Sequence, residues 1–374
     1  MGRVRHIDGL RAVAVLSVVA YHTAKDGPVH PTSVLGALLW NGRHGVDLFF
    51  VLSGFCLSYP SLAHLQREGL ARFDVIRYAA HRVVRIVPPY WAAIVLLATF
   101  FAVAARFGYS GHEVSLVDNL RWAAFIDSGV PLNGSFWTLP VEFRWYFAFP
   151  ILLLVWVRAP KAFIPMAVAW SLVLASWSVN RDAAYLPAFA LGIVAASLAV
   201  SKVRIGWWVP ALTAVAAVAA IFLSVSAGTS GDFRRVDYDP LWFAVAFGLV
   251  LCSGAFAPMS RILSFRPLAV VGLASYSIYL VHEPIVTFVG WLGWGPVWAA
   301  CIGIASGFAF WAVAERPFVS TSLRTRLVAE FEAVFGRWLP RVGITTSFEL
   351  RRPPTSTDVV RWAEPAGKKP SFVD

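Results

Sequence analysis

Charge is scarce in this chain: Asp, Glu, Lys and Arg make up 14% of its 374 residues, where a soluble domain carries about 25%. With 58% hydrophobic residues and 17 tryptophans beside that shortage, an ordinary soluble domain is excluded. Cysteine is nearly absent. Cys56, Cys252 and Cys301 sit singly in apolar stretches, without a CxxC pair or metal-ligand spacing, so neither a disulfide framework nor a metal site is expected. No internal repeat and no second globular domain is visible. The basic, apolar N-terminus resembles a signal peptide, but Tyr21 and His22 follow it where a small-residue cleavage site belongs, so an uncleaved first helix is expected. The net charge of +11 is dealt out in small groups between apolar segments rather than gathered on one patch. No nucleic-acid partner is expected; the charge is topogenic.

What the chain has in abundance is long apolar runs. They fall at about 9–24, 45–60, 86–107, 134–157, 162–179, 183–200, 207–226, 240–257, 268–289 and 296–314. The expected fold is all-α, a polytopic transmembrane helical bundle of about ten spans over residues 1–317, in contact with the lipid bilayer. With the N-terminus inside, thirteen Lys and Arg fall on the inner connections, from Arg3 to Arg266, and seven on the outer ones, from Lys25 to Arg235. That bias predicts both termini in the cytoplasm of a multi-pass plasma-membrane protein. Spans one and two are short and contain Arg11, His22 and Asp47, which predicts that other helices shield them from lipid. Residues 321–339 place Leu323, Leu327, Phe331, Val334, Phe335, Trp338 and Leu339 on one stripe, the pattern of an amphipathic helix on the inner membrane surface over 318–340. Residues 341–374 are Pro-rich and polar and read as a disordered tail.

Arg11 and His22 stand eleven positions apart. At about 100° and 1.5 Å per residue, they share a helix face to within roughly 20° and lie some 16 Å apart. Ionisable groups at such depth mark functional paths; snorkelling at the helix ends is the bland alternative. Asp47, in GVDLFFVLSGF, comes at a depth similar to His22 and either orients that imidazole as a base or serves as a helix N-cap. Gly54 in the same segment permits close helix approach. Arg82 and Arg85, three apart in HRVVRIVPPYW, present two guanidiniums on one face, a clamp for phosphates unless they serve only as topogenic charge. Glu142 and Arg144 lie well inside an apolar stretch, so Glu142 is expected to face the interior, to orient a substrate hydroxyl or to pair with a cation. Ser275, Tyr276, Tyr279, His282 and Glu283 give SYSIYLVHEP a polar side, on which Tyr276, Tyr279 and His282 are the candidates to contact substrate, with His282 a second histidine that is either a base or a hydrogen-bonded structural residue. The loops 108–133 and 227–239, with Tyr109, Trp122, Asp232, Arg234 and Tyr238, suit a carbohydrate acceptor but also a macrolide or a lipid head group.

In this order, the Arg11–His22 spacing, GVDLFFVLSGF, the Arg82–Arg85 pair with PPYW, FWTLPVEFRWYF, SYSIYLVHEP and the closing ERPF (Glu315, Arg316, Pro317) resemble the acyltransferase-3 family of integral membrane acyltransferases, from about Arg5 to Pro317. The resemblance implies transfer of an acyl group, commonly acetyl, from cytoplasmic acyl-CoA to a hydroxyl, often on an extracytoplasmic carbohydrate. It implies a catalytic role for His22 and a role in activity and CoA handling for Arg11, Arg82 and Arg85. The short tail suggests a stand-alone transferase without the esterase-like domain of many members. On this reading Asp47 holds His22, which deprotonates the acceptor, with Glu142 as a further catalytic residue; an acyl-histidine intermediate is the competing route. The rival reading is a multi-pass transporter using the same buried charges as a relay.

Overall fold

The computed structural model describes residues 4–27, 29–31, 33–109, 115–126, 131–177, 181–226, 240–319, 322–338 and 346–351. Each of the ten apolar runs falls on helix: Arg5–Lys25, Gly45–Glu68, Val75–Ala105, Thr138–Arg158, Pro160–Trp177, Arg181–Val200, Trp208–Ser226, Pro240–Ala255, Ser275–Trp291 and Pro296–Phe310. The chain is a multi-pass, all-α membrane protein. By length and apolarity, six helices among the described residues are able to cross a bilayer, or eight when two sharply bent helix pairs each count as one span, against the ten expected. One bend, of 73°, splits the expected continuous span 268–289 between Arg266–Leu273 and Ser275–Trp291. Just before the break Gly272 crosses the first helix so closely that a Cβ there would stand 1.8 Å from Asp8 O.

The first helix and the Val34–Glu68 segment are each 72% buried over their apolar windows, whereas Trp208–Val225 is 6% buried. The two polar-bearing spans are therefore the centre of the bundle, as their ionisable residues require. Close approach comes from glycine: a Cβ on Gly54 would lie 2.1 Å from Phe189 O, and one on Gly192 2.1 Å from Val51 O. The Gly45–Glu68 and Arg181–Val200 helices thus meet backbone to backbone.

Three features shape the end of the bundle that carries Arg82 and Arg85. Gly69, at φ 71°, ends the Gly45–Glu68 helix in the left-handed conformation, and its N–H donates to Leu65 O. The chain then runs through strand Leu70–Asp74, and Asp74 caps the Val75–Ala105 helix by accepting from Arg77 N at 2.9 Å. That strand pairs antiparallel with Ser347–Arg351, burying Ala71, Phe73 and Leu350. Ordered strand thus replaces expected disorder at 347–351, because alternate residues bury against Phe73 and its neighbours; Arg352 to Asp374 lie outside the described residues. Within the 318–340 stretch, Ser322–Trp338 is helical. Its Leu327, Val328 and Phe331 pack on Ala80 and Val84, while Val334 and Trp338 stay exposed.

Candidate active site

Helix Ser275–Trp291 runs beside the first helix and brings Glu283 to His22: Glu283 Oε1 lies 3.4 Å from His22 Nδ1. The contact falls short of hydrogen-bond alignment, a looseness common in catalytic sites without substrate. Glu283 Oε2 is fixed by the N–H of Ser135 at 2.6 Å and by its Oγ at 2.8 Å. Ser135 Oγ is also 3.4 Å from His22 Nε2. Ser135 stands in a 3₁₀ turn, Gly134–Trp137, capped by Asn133 Oδ1, while Asn133 Nδ2 reaches Leu280 O at 2.8 Å. The turn is thereby tied to the helix that carries the carboxylate. With Nδ1 toward a carboxylate, His22 presents Nε2 as its basic nitrogen.

Asp47 is not the partner of His22. Its Oδ2 is 2.7 Å from Nδ1 of His44, three residues earlier, and the His44 ring stacks on Trp242 at 4.6 Å. The spacing that places Asp47 at the depth of His22 also places it within one turn of His44, and the local partner wins. Both histidine–carboxylate pairs nevertheless line one cavity of about 340 Å³, walled by Tyr21, Trp122, Trp137, Tyr185 and Tyr279 and by the cations Lys25 and Arg43.

A second cavity, of about 70 Å³, adjoins the first at Val46 and Tyr279. It contains Arg11, Arg82, Arg85, Ser53, Glu142, Tyr146 and Tyr276. Glu142 therefore lies in this middle cavity and not in that of His22; it accepts from Ser53 Oγ at 2.7 Å and from Tyr146 OH. Arg144 points elsewhere, to a two-pronged pair with Asp182 at 2.8 Å on each prong. Tyr276 OH donates to Ile86 O at 3.0 Å, and Tyr279 OH to Ser135 O at 2.8 Å. His282 lines none of these cavities: it is fully buried, its Nδ1 is held by Ile278 O and Tyr279 O, and its ring packs edge-on to His22 at 5.1 Å.

The third cavity, of about 690 Å³, is joined to the second by Arg11, Arg82 and Arg85, which line both. No carboxylate comes within ion-pair distance of these three guanidiniums among the described residues, and the Nε atoms of Arg11 and Arg82 are buried without a partner. Three guanidiniums thus converge without a direct ion-pair partner, with Asp8, Glu142 and Glu315 lining the same cavities, an arrangement able to receive a polyanion. The positive field extends to the Ser322–Trp338 helix. There burial and Arg82 push the Arg324 guanidinium below its ordinary pKa, and Arg324 donates to His81 Nδ1 at 3.2 Å.

Ser135 and His44 carried no expectation from the sequence, and Glu283, expected only on a polar helix side, is the carboxylate that meets His22. Of the two loops expected to meet an acceptor, 227–239 lies outside the described residues; in the other, Trp122 lines the His22 cavity, while Tyr109 packs on Phe101 and Phe288.

Residues 4–316 match the model of a family described as an acyltransferase domain. The chain is 28% identical over 368 residues to peptidoglycan O-acetyltransferase OatA of Listeria monocytogenes serovar 1/2a, covering 85% of this chain and 55% of that protein. It is 23% identical to O-acetyltransferase OatA of Staphylococcus aureus over 76% of this chain and 50% of the relative. It is 27% identical to nodulation protein 10 of Rhizobium leguminosarum bv. viciae over 88% of this chain and 96% of the relative. The chain thus spans about half the length of the two OatA proteins. No solved structure matches it.

Proposed function

The chain belongs to this acyltransferase family, and on that premise we propose that it moves an acyl group, acetyl in the simplest case, from cytoplasmic acyl-CoA to a hydroxyl of a carbohydrate-containing acceptor. One observation carries the reading. Three cavities neighbour one another, the last two lined in common by Arg11, Arg82 and Arg85 and the first two by Val46 and Tyr279, so the guanidiniums and His22 stand at the two ends of one row of cavities. An acyl-CoA has this polarity, an anionic nucleotide end and a thin arm tipped with the thioester. Arg11, Arg82 and Arg85 hold the phosphates, the arm passes Tyr276 and Tyr279, and the thioester arrives beside His22. The spacing along the first helix, some 16 Å at about 1.5 Å per residue, is comparable with the reach of that arm.

In the reaction His22 Nε2 takes the proton of the acceptor hydroxyl as its oxygen attacks the thioester carbonyl. The carbon–sulfur bond breaks, and the proton passes to the departing thiolate, giving the ester and free CoA. Glu283 stabilises the imidazolium, and Ser135 holds Glu283 in place. The alternative, attack by His22 itself to form an acyl-histidine, uses the same atoms. The aromatic walls of the His22 cavity suit a sugar. The name of the Listeria relative, a peptidoglycan O-acetyltransferase, favours a glycan as acceptor. Ten spans with cytoplasmic termini in the plasma membrane complete the proposal; counted on that topology, the basic bias of the inner connections supports the cytoplasmic termini.

The test is incubation of the purified protein in lipid nanodiscs with acetyl-labelled acetyl-CoA. Binding of CoA, with label release or transfer that vanishes in His22→Ala while the protein stays folded, supports the reading. A protein that ignores acyl-CoA yet moves a solute across vesicles overturns it in favour of a transporter, for which the same cavities would form the path.

A further inference from the structure

The ERPF motif supplies neither base nor clamp in this scheme. Its glutamate, Glu315, is 1% exposed and lines the arginine-end cavity together with Asp8 and the three guanidiniums. The local backbone puts it there. Trp311–Glu315 is a π-helical turn between the Pro296–Phe310 and Arg316–Val319 helices. A π turn carries one extra residue, about 100° of helix rotation, so Glu315 occupies roughly the angular position that Ala314 would take in an unbroken helix. Such turns are uncommon and recur at functional sites.

Glu315 interacts electrostatically with Arg85 and Arg11 but forms an ion pair with neither; Ser277 Oγ, from the broken Ser275–Trp291 helix, donates to its Oε2 at 2.6 Å. A carboxylate free to move would close on the nearest guanidinium. This one is held by Ser277, with no guanidinium within ion-pair distance.

We propose that Glu315 is a resident anion that competes with the donor's phosphates for the arginine cluster, and that the Ser277 hydroxyl sets how strongly it competes. The proposal rests on the acyl-CoA reading above. Free CoA carries the same phosphates as acyl-CoA, so a cluster of bare arginines would hold product as firmly as substrate. A fixed negative charge weakens both, which raises the donor KM and speeds product release. Glu315 is therefore a positioning residue for charge and does not touch the reacting atoms.

The experiment measures binding of CoA and of inorganic pyrophosphate to wild type, Glu315→Gln and Ser277→Ala in nanodiscs, by calorimetry and by ligand-induced shift of the melting temperature. Glu315→Gln keeps an acceptor for Ser277 and removes the charge. It is expected to tighten CoA about tenfold, the order of one unit charge acting across several ångströms of protein, while turnover falls and the unliganded protein melts earlier. Ser277→Ala frees the carboxylate to lean onto Arg85 and is expected to weaken CoA about threefold, the effect of a fraction of one hydrogen bond. These opposite signs are not expected of a residue that merely props the arginines. Weaker CoA binding in Glu315→Gln, or no change, overturns the proposal. If Glu315→Gln does not fold, unchanged or tighter binding in Ser277→Ala overturns it. Wild-type binding of pyrophosphate without CoA defeats the donor reading instead and leaves the Glu315 comparison to be read with pyrophosphate; binding of neither defeats both.

Discussion

Glu283 and His22, 261 residues apart in the chain, stand 3.4 Å from each other, and the carboxylate is held from its far oxygen by the N–H and the hydroxyl of Ser135. A histidine backed by a fixed carboxylate is a stronger base than one in apolar surroundings, where its charged form is penalised. Glu283→Gln keeps the shape and loses that support. Label transfer from acetyl-CoA is expected to fall about 10²- to 10⁴-fold, the usual weight of general base catalysis, with CoA affinity unchanged. Equal rates for the variant and wild type would remove Glu283 from the chemistry.

Asp47 is hydrogen-bonded to His44, not to His22. If the pair works as a unit, Asp47→Asn and His44→Ala each lower acceptor use, and the double variant is no worse than the more damaging single one. Steady-state rates at varied acceptor concentration decide this. Additive losses would mean that the two side chains act separately.

Arg82→Gln and Arg85→Gln each remove one guanidinium from a cluster with no carboxylate in ion-pair contact. Each is expected to raise the KM for acyl-CoA about tenfold, one charge-assisted hydrogen bond of about 1.5 kcal/mol or more, with a smaller effect on kcat. A salt titration adds a second reading: the wild-type KM rises with ionic strength, and the variants respond less steeply.

Gly54 has no room for a side chain against Phe189 O. Gly54→Val is expected to destabilise the bundle by several kcal/mol, beyond ordinary core overpacking of about 1–3 kcal/mol because the obstacle is backbone. The readout is thermal melting in detergent. A melting temperature within a degree of wild type would show that the Gly45–Glu68 and Arg181–Val200 helices separate easily.

The ten helices were legible because each is an apolar run long enough to declare itself, and the burial of the first two followed from Arg11, His22 and Asp47. The arginine cluster was legible for a similar reason: a spacing of three fixes Arg82 and Arg85 to one helical face whatever the rest of the chain does. Hydropathy did not show the break at Ala274. It is set by crossing geometry, with Gly272 against Asp8, and not by a local breaker. The strand at Ser347–Arg351 was missed because five residues of mixed polarity become a strand only when Leu70–Asp74 is there to pair with them.

Composition, hydropathy and local spacing thus determined what lies along each helix: a membrane bundle, a cation and a base on one face of the first span, and two arginines on one face of the third. Which carboxylate serves which histidine was decided only when the helices packed. Glu283 follows His282 directly in sequence, and nothing in their order says that the histidine packs its ring on His22 with Nδ1 taken by Ile278 O, while the next residue brings its carboxylate to His22 Nδ1. Helical periodicity fixes the angle of a side chain about its own axis, whereas a partner on another helix depends on how two axes cross, and small residues and bends set that crossing. The Arg11–His22 spacing was therefore written in the sequence, and the cavities that join its two ends came from the tertiary packing.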